Sequence, residues 1–161
     1  MLHLAQAATL VAATLMTGLM AGLFYAYSCS VMPGLGRTDD RSFVGAMQAI
    51  NVAILNGWFA LIFGGALLLT ATTAALHLAG AGRSALPWIF AALVLYLVTL
   101  GITMRVNVPL NDQLQAAPSE TADGLRLTRA SFEDVWNRWN LVRTVTNTAA
   151  FAALTVAVYV R

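Results

Sequence analysis

Four long apolar segments alternate with shorter polar stretches along the chain. They cover approximately residues 4–28, 51–78, 85–104 and 140–160. A helix of about 20 residues crosses the hydrocarbon layer of a bilayer, and each segment is long enough to do so. Four segments are too few to close a β-barrel, the other structure that can span a membrane. The pattern predicts an all-α, four-helix transmembrane bundle that forms one integral membrane domain over residues 1–161.

The stretch between the third and fourth spans has a pattern of its own. Pro109 is expected to end the third helix, because proline disfavours a helical residue before it. Residues 113–124 are polar and rich in turn formers. Ser131 and Asp134 then have the spacing of a capping box, and apolar residues recur at helical intervals after them. We therefore predict an interfacial helix that starts near Ser131 and leads into the fourth span.

Composition excludes several classes of protein. The chain is 59% hydrophobic and 10% charged, with a mean hydropathy of +0.73, whereas soluble domains are about 45–50% apolar and about 25% charged. An ordinary cytosolic enzyme, a disordered tail and a nucleic-acid-binding protein do not fit these values, and the net charge of +2 is small. Cys29, the single cysteine, cannot form an internal disulfide.

The distribution of arginine predicts the orientation of the bundle. Cytoplasmic loops of membrane proteins carry an excess of basic residues near the span ends. Two arginines fall on the side of the termini, and seven fall on the side of the first and third loops. We therefore expect a multi-pass protein of the inner or plasma membrane with non-cytoplasmic termini. The seven are Arg37, Arg41, Arg105, Arg126, Arg129, Arg138 and Arg143.

One face of the fourth helix carries the most informative polar residues. Trp136, Trp139, Asn140, Arg143 and Asn147 share this face by their spacing. An ionisable group inside a bilayer is costly and usually faces the bundle interior. Arg143 is therefore expected to meet a carboxylate, carbonyl groups or an anionic ligand. Two alternatives stay open: the guanidinium reaches the headgroups, and the two tryptophans belong to the interfacial aromatic belt.

The other three spans bring polar residues to the same membrane level. Tyr25 closes the first span, Asn51 opens the second, and Asn107 and Asn111 flank Pro109 at the end of the third. The two asparagines either bind backbone groups that the helix end leaves free or donate hydrogen bonds into a pocket. We expect the pocket at this end of the bundle.

Two further features have structural and functional interpretations. His3 and His77 both lie on the side of the membrane that carries the chain termini, where the two side chains could bind a haem between them. Histidines that bind no haem or metal are commoner at such positions. Gly18 and Gly22 form a G-x-x-x-G step, which packs helices closely within a bundle or between two copies. No His, Cys, Asp and Glu grouping has metal-ligand spacing, and no phosphate-binding loop or dinucleotide fingerprint occurs.

Four stretches of the sequence resemble the DUF1772 family, which includes the anthrone oxygenases of aromatic polyketide pathways. The resemblance implies a small four-span membrane protein, and some members oxidise an anthrone to an anthraquinone without an obvious cofactor. It marks Asn107, Asn111, Trp139 and Arg143 as motif positions and Pro33 as a structural one. The stretches are residues 22–33 (GLFYAYSCSVMP), 47–51 (MQAIN), 107–112 (NVPLND) and 136–144 (WNRWNLVRT).

This resemblance, together with the polar residues that share one end of the bundle, implies an oxidoreductase that acts on an apolar aromatic molecule with O₂ and without a cofactor. Arg143, Asn107 and Asn111 suit the stabilisation of an oxyanion. Glu133 or Asp112 serves as the base if burial raises its pKa. The ligand-binding set is expected to contain aromatic rings that stack on the substrate and further amides: Trp136, Trp139, Tyr25, Asn51, Asn140 and Asn147.

Two other functions remain compatible with the sequence. One is a non-enzymatic membrane partner or a module that binds lipid or another hydrophobic ligand. This function is favoured because the sequence identifies no definite catalytic base. The other is a haem-binding membrane redox protein that uses His77 and His3. The expected partners are the bilayer, a hydrophobic aromatic molecule, O₂ and, through Gly18 and Gly22, a second copy of the chain.

Overall fold

The computed structural model describes residues 1–80, 82–117 and 121–161, and the elements it describes are helical. This confirms the all-α, four-helix bundle. Five helices follow one another along the chain, and we number them in that order: α1 Leu2–Leu35, α2 Asp40–Ala53, α3 Gly57–Ala79, α4 Arg83–Ala116 and α5 Ala122–Val160.

Four of these helices, α1, α3, α4 and α5, are long and apolar enough to cross a membrane. The chain is therefore an integral membrane protein. Helix α5 has 39 residues and a length of about 58 Å at 1.5 Å per residue. The hydrocarbon layer is about 30 Å thick. Because its apolar residues are at the C-terminal end, the N-terminal part of α5 extends beyond the hydrocarbon.

The four spanning helices pack in a closed square. Helix α1 contacts α3 and α5, and α4 contacts the same two neighbours from the opposite corner. Small side chains fill much of the centre, which lets the backbones approach closely where lipid provides no hydrophobic driving force. We call this centre the first core: Leu10, Ala13, Ala74, Ala85, Ile89, Ala92, Ala150, Ala153, Leu154 and Ala157.

Helix α2 builds a second core at one end of the square. It packs against the N-terminal part of α5 and the last turns of α4. Asp39 caps it by accepting a hydrogen bond from the Ser42 backbone N–H at 3.0 Å, which holds the pKa of the Asp39 carboxyl below its usual value. Buried apolar side chains from four helices form this second core: Met32, Phe43, Val44, Met47, Leu114, Leu125, Phe132 and Trp136.

Arg129 fastens the α1–α2 turn to α5. Its Nη2 donates to the Gly36 carbonyl at 2.8 Å, and its Nη1 donates to the Thr38 carbonyl at 2.9 Å. The same guanidinium pairs with Asp40 at 3.1 Å and with Glu133 at 2.6 Å. Its Cζ also lies 4.6 Å from the centre of the Phe43 ring.

Two of the spanning helices contain a five-residue π-helical turn, Tyr27–Val31 in α1 and Thr103–Asn107 in α4. Each turn is followed, two residues later, by a proline, Pro33 or Pro109. A proline inside a helix has no N–H to donate and clashes with the carbonyl four residues before it. The wider turn relieves this clash, and the helix continues.

Three boundaries predicted from the sequence are wrong. Pro109 does not end the third helix, because the π-helical turn accommodates it and α4 continues to Ala116. The second span does not begin at residue 51, because α2 ends at Ala53 and α3 begins only at Gly57.

The third error concerns the start of the last helix. Ser131 is not a cap, since its hydroxyl donates to the Thr128 carbonyl of the preceding turn. Helix α5 begins nearer the N-terminus, where Thr121 accepts a hydrogen bond from the Gly124 N–H. Residues 118–120 of the predicted polar loop lie outside the described part.

The two glycines of the G-x-x-x-G step lie in different surroundings within the single chain. A Cβ added at Gly18 would lie 2.9 Å from Cε2 of Phe151 on α5, so this glycine serves packing inside the bundle. A Cβ added at Gly22 would meet nothing within 4 Å. Of the two interpretations, internal packing applies at Gly18.

Candidate functional site

A cavity of about 230 Å³ lies between the two cores, where all five helices contribute lining residues. This is the end of the bundle at which the sequence placed its polar residues. Val52, Leu55, Asp112 and Gln115 are the exposed lining residues, so the mouth lies between the α2–α3 link and the last turns of α4. The remaining wall is formed by Leu23, Phe24, Tyr27, Asn51, Ile54, Phe59, Thr103, Asn107, Val108, Asn111, Trp136, Asn140 and Arg143.

Arg143 is the charged group in the buried wall of this cavity, with only 6% of its surface exposed. Its Nη2 donates to Asn140 Oδ1 at 2.9 Å, and its Nη1 lies 3.5 Å from Thr103 Oγ1. The Cζ atom lies 4.6 Å from the centre of the Phe24 ring and 5.3 Å from that of Trp136. Its Nε has no hydrogen-bond partner. The guanidinium therefore faces the interior and does not reach the headgroups.

Asn140 holds the guanidinium and the neighbouring helix at once. Its Nδ2 donates to the Phe24 carbonyl at 3.0 Å and to Ser28 Oγ at 2.8 Å, while Oδ1 accepts from Arg143. Asn147 lies about two helical turns beyond Asn140 on α5 and does not line the cavity. Its Nδ2 donates to the Thr17 carbonyl at 3.1 Å. Both amides join α5 to α1, but only Asn140 reaches the cavity.

Two further asparagines line the cavity with atoms that have no hydrogen-bond partner. Asn107 is 1% exposed, and neither its Oδ1 nor its Nδ2 is bonded. It occupies the last position of the π-helical turn in α4. Asn51 Nδ2, from the last turn of α2, is also buried without a partner. Because buried polar groups are normally satisfied, these atoms indicate a place for a polar ligand or water.

Trp136 forms the aromatic wall together with Tyr27. The two ring centres lie 5.5 Å apart at an angle of 49°. The indole Nε1 donates to Asn111 Oδ1 at 2.9 Å, which fixes the plane of the indole. Asn111 thus orients Trp136 through its oxygen.

The two candidate bases lie in different surroundings. Asp112 lines the cavity and is exposed at its mouth. Glu133 borders a separate groove and is paired with Arg129. Since a general base must lie within hydrogen-bond reach of the proton it removes, Glu133 does not suit a ligand in this cavity.

The structure corrects the expected positions of Tyr25 and Trp139. Tyr25 is 60% exposed, and Trp139 borders an outer groove between α4 and α5. Trp58 is also exposed near the cavity level. These rings suit the aromatic belt at a membrane–water interface, and Trp88 and Tyr159 are exposed near the other helix ends.

The two histidines do not share one environment. His77 is buried, with Nδ1 2.8 Å from the Thr73 carbonyl, whereas His3 is exposed on α1. Among residues 1–80, 82–117 and 121–161, no three His, Cys, Asp or Glu side chains are grouped so that they could hold a metal ion.

Three cavity residues that contact Arg143 or Trp136 were not assigned to a ligand site by the sequence: Phe24, Tyr27 and Thr103. The signal for the first two was present, because Met20, Phe24 and Tyr27 recur at i, i+4 and i+7, the spacing of one helix face. Thr103 gave no such signal, since a threonine near a helix end is unremarkable in sequence.

Comparison with known protein families gives one match. A family model described as anthrone oxygenase matches residues 58–153, which is more than half of the chain. The matched region contains the NVPLND and WNRWNLVRT stretches with Asn107 and Arg143, but not Pro33 or Asn51. No curated protein and no solved structure matches the chain in the corresponding comparisons.

Proposed function

Because the chain belongs to the anthrone oxygenase family, we propose that it oxidises an anthrone-like aromatic ketone to a quinone with O₂ in the cavity around Arg143. Arg143 carries this proposal: its buried guanidinium, with a free Nε, lines the same cavity as the unpartnered Asn107 amide and lies against the rings of Phe24 and Trp136. A volume of about 230 Å³ is below that of typical drug-sized pockets, which favours a compact, flat ligand.

The reaction balances without a further reactant. The ring carbon opposite the carbonyl of an anthrone loses a proton, and the electron pair of that C–H bond delocalises onto the carbonyl oxygen. This enolate passes electrons to O₂ and a C–O bond forms; the resulting peroxide anion takes a proton back from water to give a hydroperoxide, which loses water as its O–O bond and the second C–H bond break. One O₂ thus supplies the quinone oxygen and the oxygen of one water.

The residues of the cavity have distinct roles in this proposal. Arg143 and Asn107 donate to the oxygen on which negative charge develops, and fixed donors gain strength in a site that excludes water. Trp136 and Tyr27 contact the faces of the aromatic rings. Electrons pass directly from the enolate to O₂, so we propose no cofactor for this step. Both reactants dissolve in lipid, which suits an integral membrane enzyme.

Oxidation of anthrone by the purified protein in lipid nanodiscs tests the proposal. We expect quinone absorbance to appear faster than in protein-free nanodiscs, with one O₂ consumed per quinone. Arg143→Gln and Asn107→Leu should each lower the rate about 100-fold, the usual cost of removing one oxyanion donor. Arg138→Gln, on the exposed face of α5, should leave the rate unchanged. Equal rates with and without protein would exclude the activity.

A ligand-binding module without catalysis is the second candidate. Asp112 is the described acidic residue that lines the cavity, and it is exposed at the mouth. Because a carboxylate in water is a weak general base, its position favours binding without catalysis. Saturable binding of anthraquinone that depends on Trp136, without turnover of any anthrone, would support this function over the first.

A further inference from the structure

The charge of Arg143 has no counter-charge among the residues that the structure describes. The described ion pairs involve Arg126 and Arg129, and no described Asp or Glu pairs with Arg143. Its neighbours are instead two amide or hydroxyl oxygens and two aromatic faces. A buried cation without a partner is strongly unfavourable. Such a site gains most from a ligand that brings the missing negative charge.

We infer that the cavity binds its aromatic ligand as an anion, a phenolate or enolate whose oxygen lies against Arg143 and Asn107. The class of ring rests on the proposed function, whereas the charge of the ligand rests on the surroundings of Arg143. The cavity thereby selects flat aromatic molecules with an acidic O–H, or an acidic C–H next to a carbonyl, over neutral aromatics of the same shape.

The buried donors match an anionic oxygen. Arg143 Nε, Asn107 Nδ2 and Asn51 Nδ2 all lack partners, and all three residues line the cavity. Hydrogen bonds to an ionised acceptor are shorter and about twice as strong as those between neutral groups. Three free donors at the same cavity therefore favour a charged oxygen over a neutral carbonyl.

Few other ionisable groups face the ligand. Tyr27 on α1 and Asp112 on α4 line the cavity, while α2 and α3 contribute no ionisable side chain to its lining and α5 contributes only Arg143. Asp112 is exposed at the mouth, where water weakens its repulsion of an anion. Arg143 thus sets the sign of the potential in the buried part of the cavity.

An anionic ligand removes the need for a base provided by the protein. The O–H or C–H bond breaks as the ligand settles, the electron pair stays on the ligand, and the proton passes to water at the mouth beside Asp112 and Gln115. An opposite charge within about 4–6 Å lowers the pKa of an acid by about 1–3 units. Stabilisation of the anion by Arg143 therefore replaces the general base, the role for which the sequence offered Glu133 or Asp112.

The visible titration of 2-hydroxyanthraquinone tests this inference without any turnover, because its colour changes when the phenol ionises. Bound to the wild-type protein in nanodiscs, the probe should ionise at a pH at least one unit lower than in protein-free nanodiscs. Arg143→Gln should abolish this shift and weaken binding about tenfold, Arg143→Lys should retain part of the shift, and Arg138→Gln should retain all of it. 2-Methoxyanthraquinone, which cannot ionise, should bind at least tenfold more weakly.

A bound probe that ionises at the same pH as in protein-free nanodiscs, or at a higher pH, would overturn the inference, and so would equal binding of the methoxy compound. The wild-type titration decides this even if Arg143→Gln fails to fold. The outcome is separate from the oxidation assay, since a shifted titration without anthrone turnover would support the anion site and reject the oxygenase.

Discussion

Asn140 Oδ1 accepts a hydrogen bond from Arg143 Nη2 at 2.9 Å, three residues along the same helix. The amide that holds the guanidinium is itself held by the Phe24 carbonyl and by Ser28 of α1. The position of the charge in the cavity therefore depends on the packing of α1 against α5. A separate experiment can distinguish this positioning from ordinary packing.

Asn140→Ala should lower both stability and ligand affinity. Loss of three hydrogen bonds, two of them fully buried, is expected to reduce the free energy of unfolding by about 1–3 kcal/mol, and a loosened Arg143 should weaken 2-hydroxyanthraquinone binding about tenfold. Asn147→Ala is the matched control, since this amide also joins α5 to α1 but lies outside the cavity. It should lower stability and leave affinity unchanged. Equal affinity loss in both variants would show a general packing effect.

The two tryptophans of the WNRWN stretch should differ in their effects. Trp136→Phe removes the hydrogen bond to Asn111 and the larger face next to Arg143, so ligand affinity should fall about tenfold. Trp139→Phe changes a ring in the outer groove and should leave affinity unchanged. Equilibrium titration of both variants with 2-hydroxyanthraquinone measures this, and a larger loss with Trp139→Phe would place the ligand outside the cavity.

The π-helical turn before Pro109 should be needed for the position of Asn107. Pro109→Ala restores a backbone N–H, which favours a regular α-helix through residues 103–107. We expect unchanged or higher thermal stability, because alanine is the better helix former, together with about tenfold weaker ligand binding. Pro87→Ala, near the N-terminal end of α4 and at the other end of the bundle, is the control and should not affect binding. Unchanged affinity in Pro109→Ala would show that the π-helical turn does not position Asn107.

Arg129 should stabilise the second core more than its exposed neighbour Arg126 does. The Arg129 side chain is 16% exposed and bonds two carbonyls and two carboxylates, whereas Arg126 is 66% exposed and pairs with Asp123 at 3.8 Å. Arg129→Met should speed hydrogen exchange of the α2 amides by at least tenfold. Arg126→Met should change it less than threefold, as exposed pairs contribute little. Similar exchange in both variants would contradict this role.

The sequence was informative where a residue had to meet a strong physical requirement. The cost of a charge within a span predicted that Arg143 faces the interior, and the structure has it there. Helical spacing placed Trp136 and Asn140 on the same face as Arg143. Asn147 shares this face but lies deeper than the cavity, because spacing gives the direction of a side chain and not its depth.

The sequence misled where local geometry departs from the regular α-helix. Pro109 reads as a stop signal, and only a structure shows that a π-helical turn accommodates it. The sequence predicts no separate helix between the first two spans, because the polar face of α2 lowers its mean hydropathy, although its apolar side packs into the second core. Tyr25 and Tyr27 are the same residue type, two positions apart, at the end of the first predicted span. Only the packing shows that Tyr27 faces the cavity and Tyr25 does not.

The most direct measurement of the central claim is an experimental structure of the protein in nanodiscs with 2-hydroxyanthraquinone bound. We predict ring density in the cavity between Trp136 and the mouth at Asp112, with the ionised oxygen within hydrogen-bond distance of Arg143 Nε and the Asn107 amide. An empty cavity, with the ligand bound in the outer groove beside Trp139 or only among the lipids, would contradict the assignment of this site.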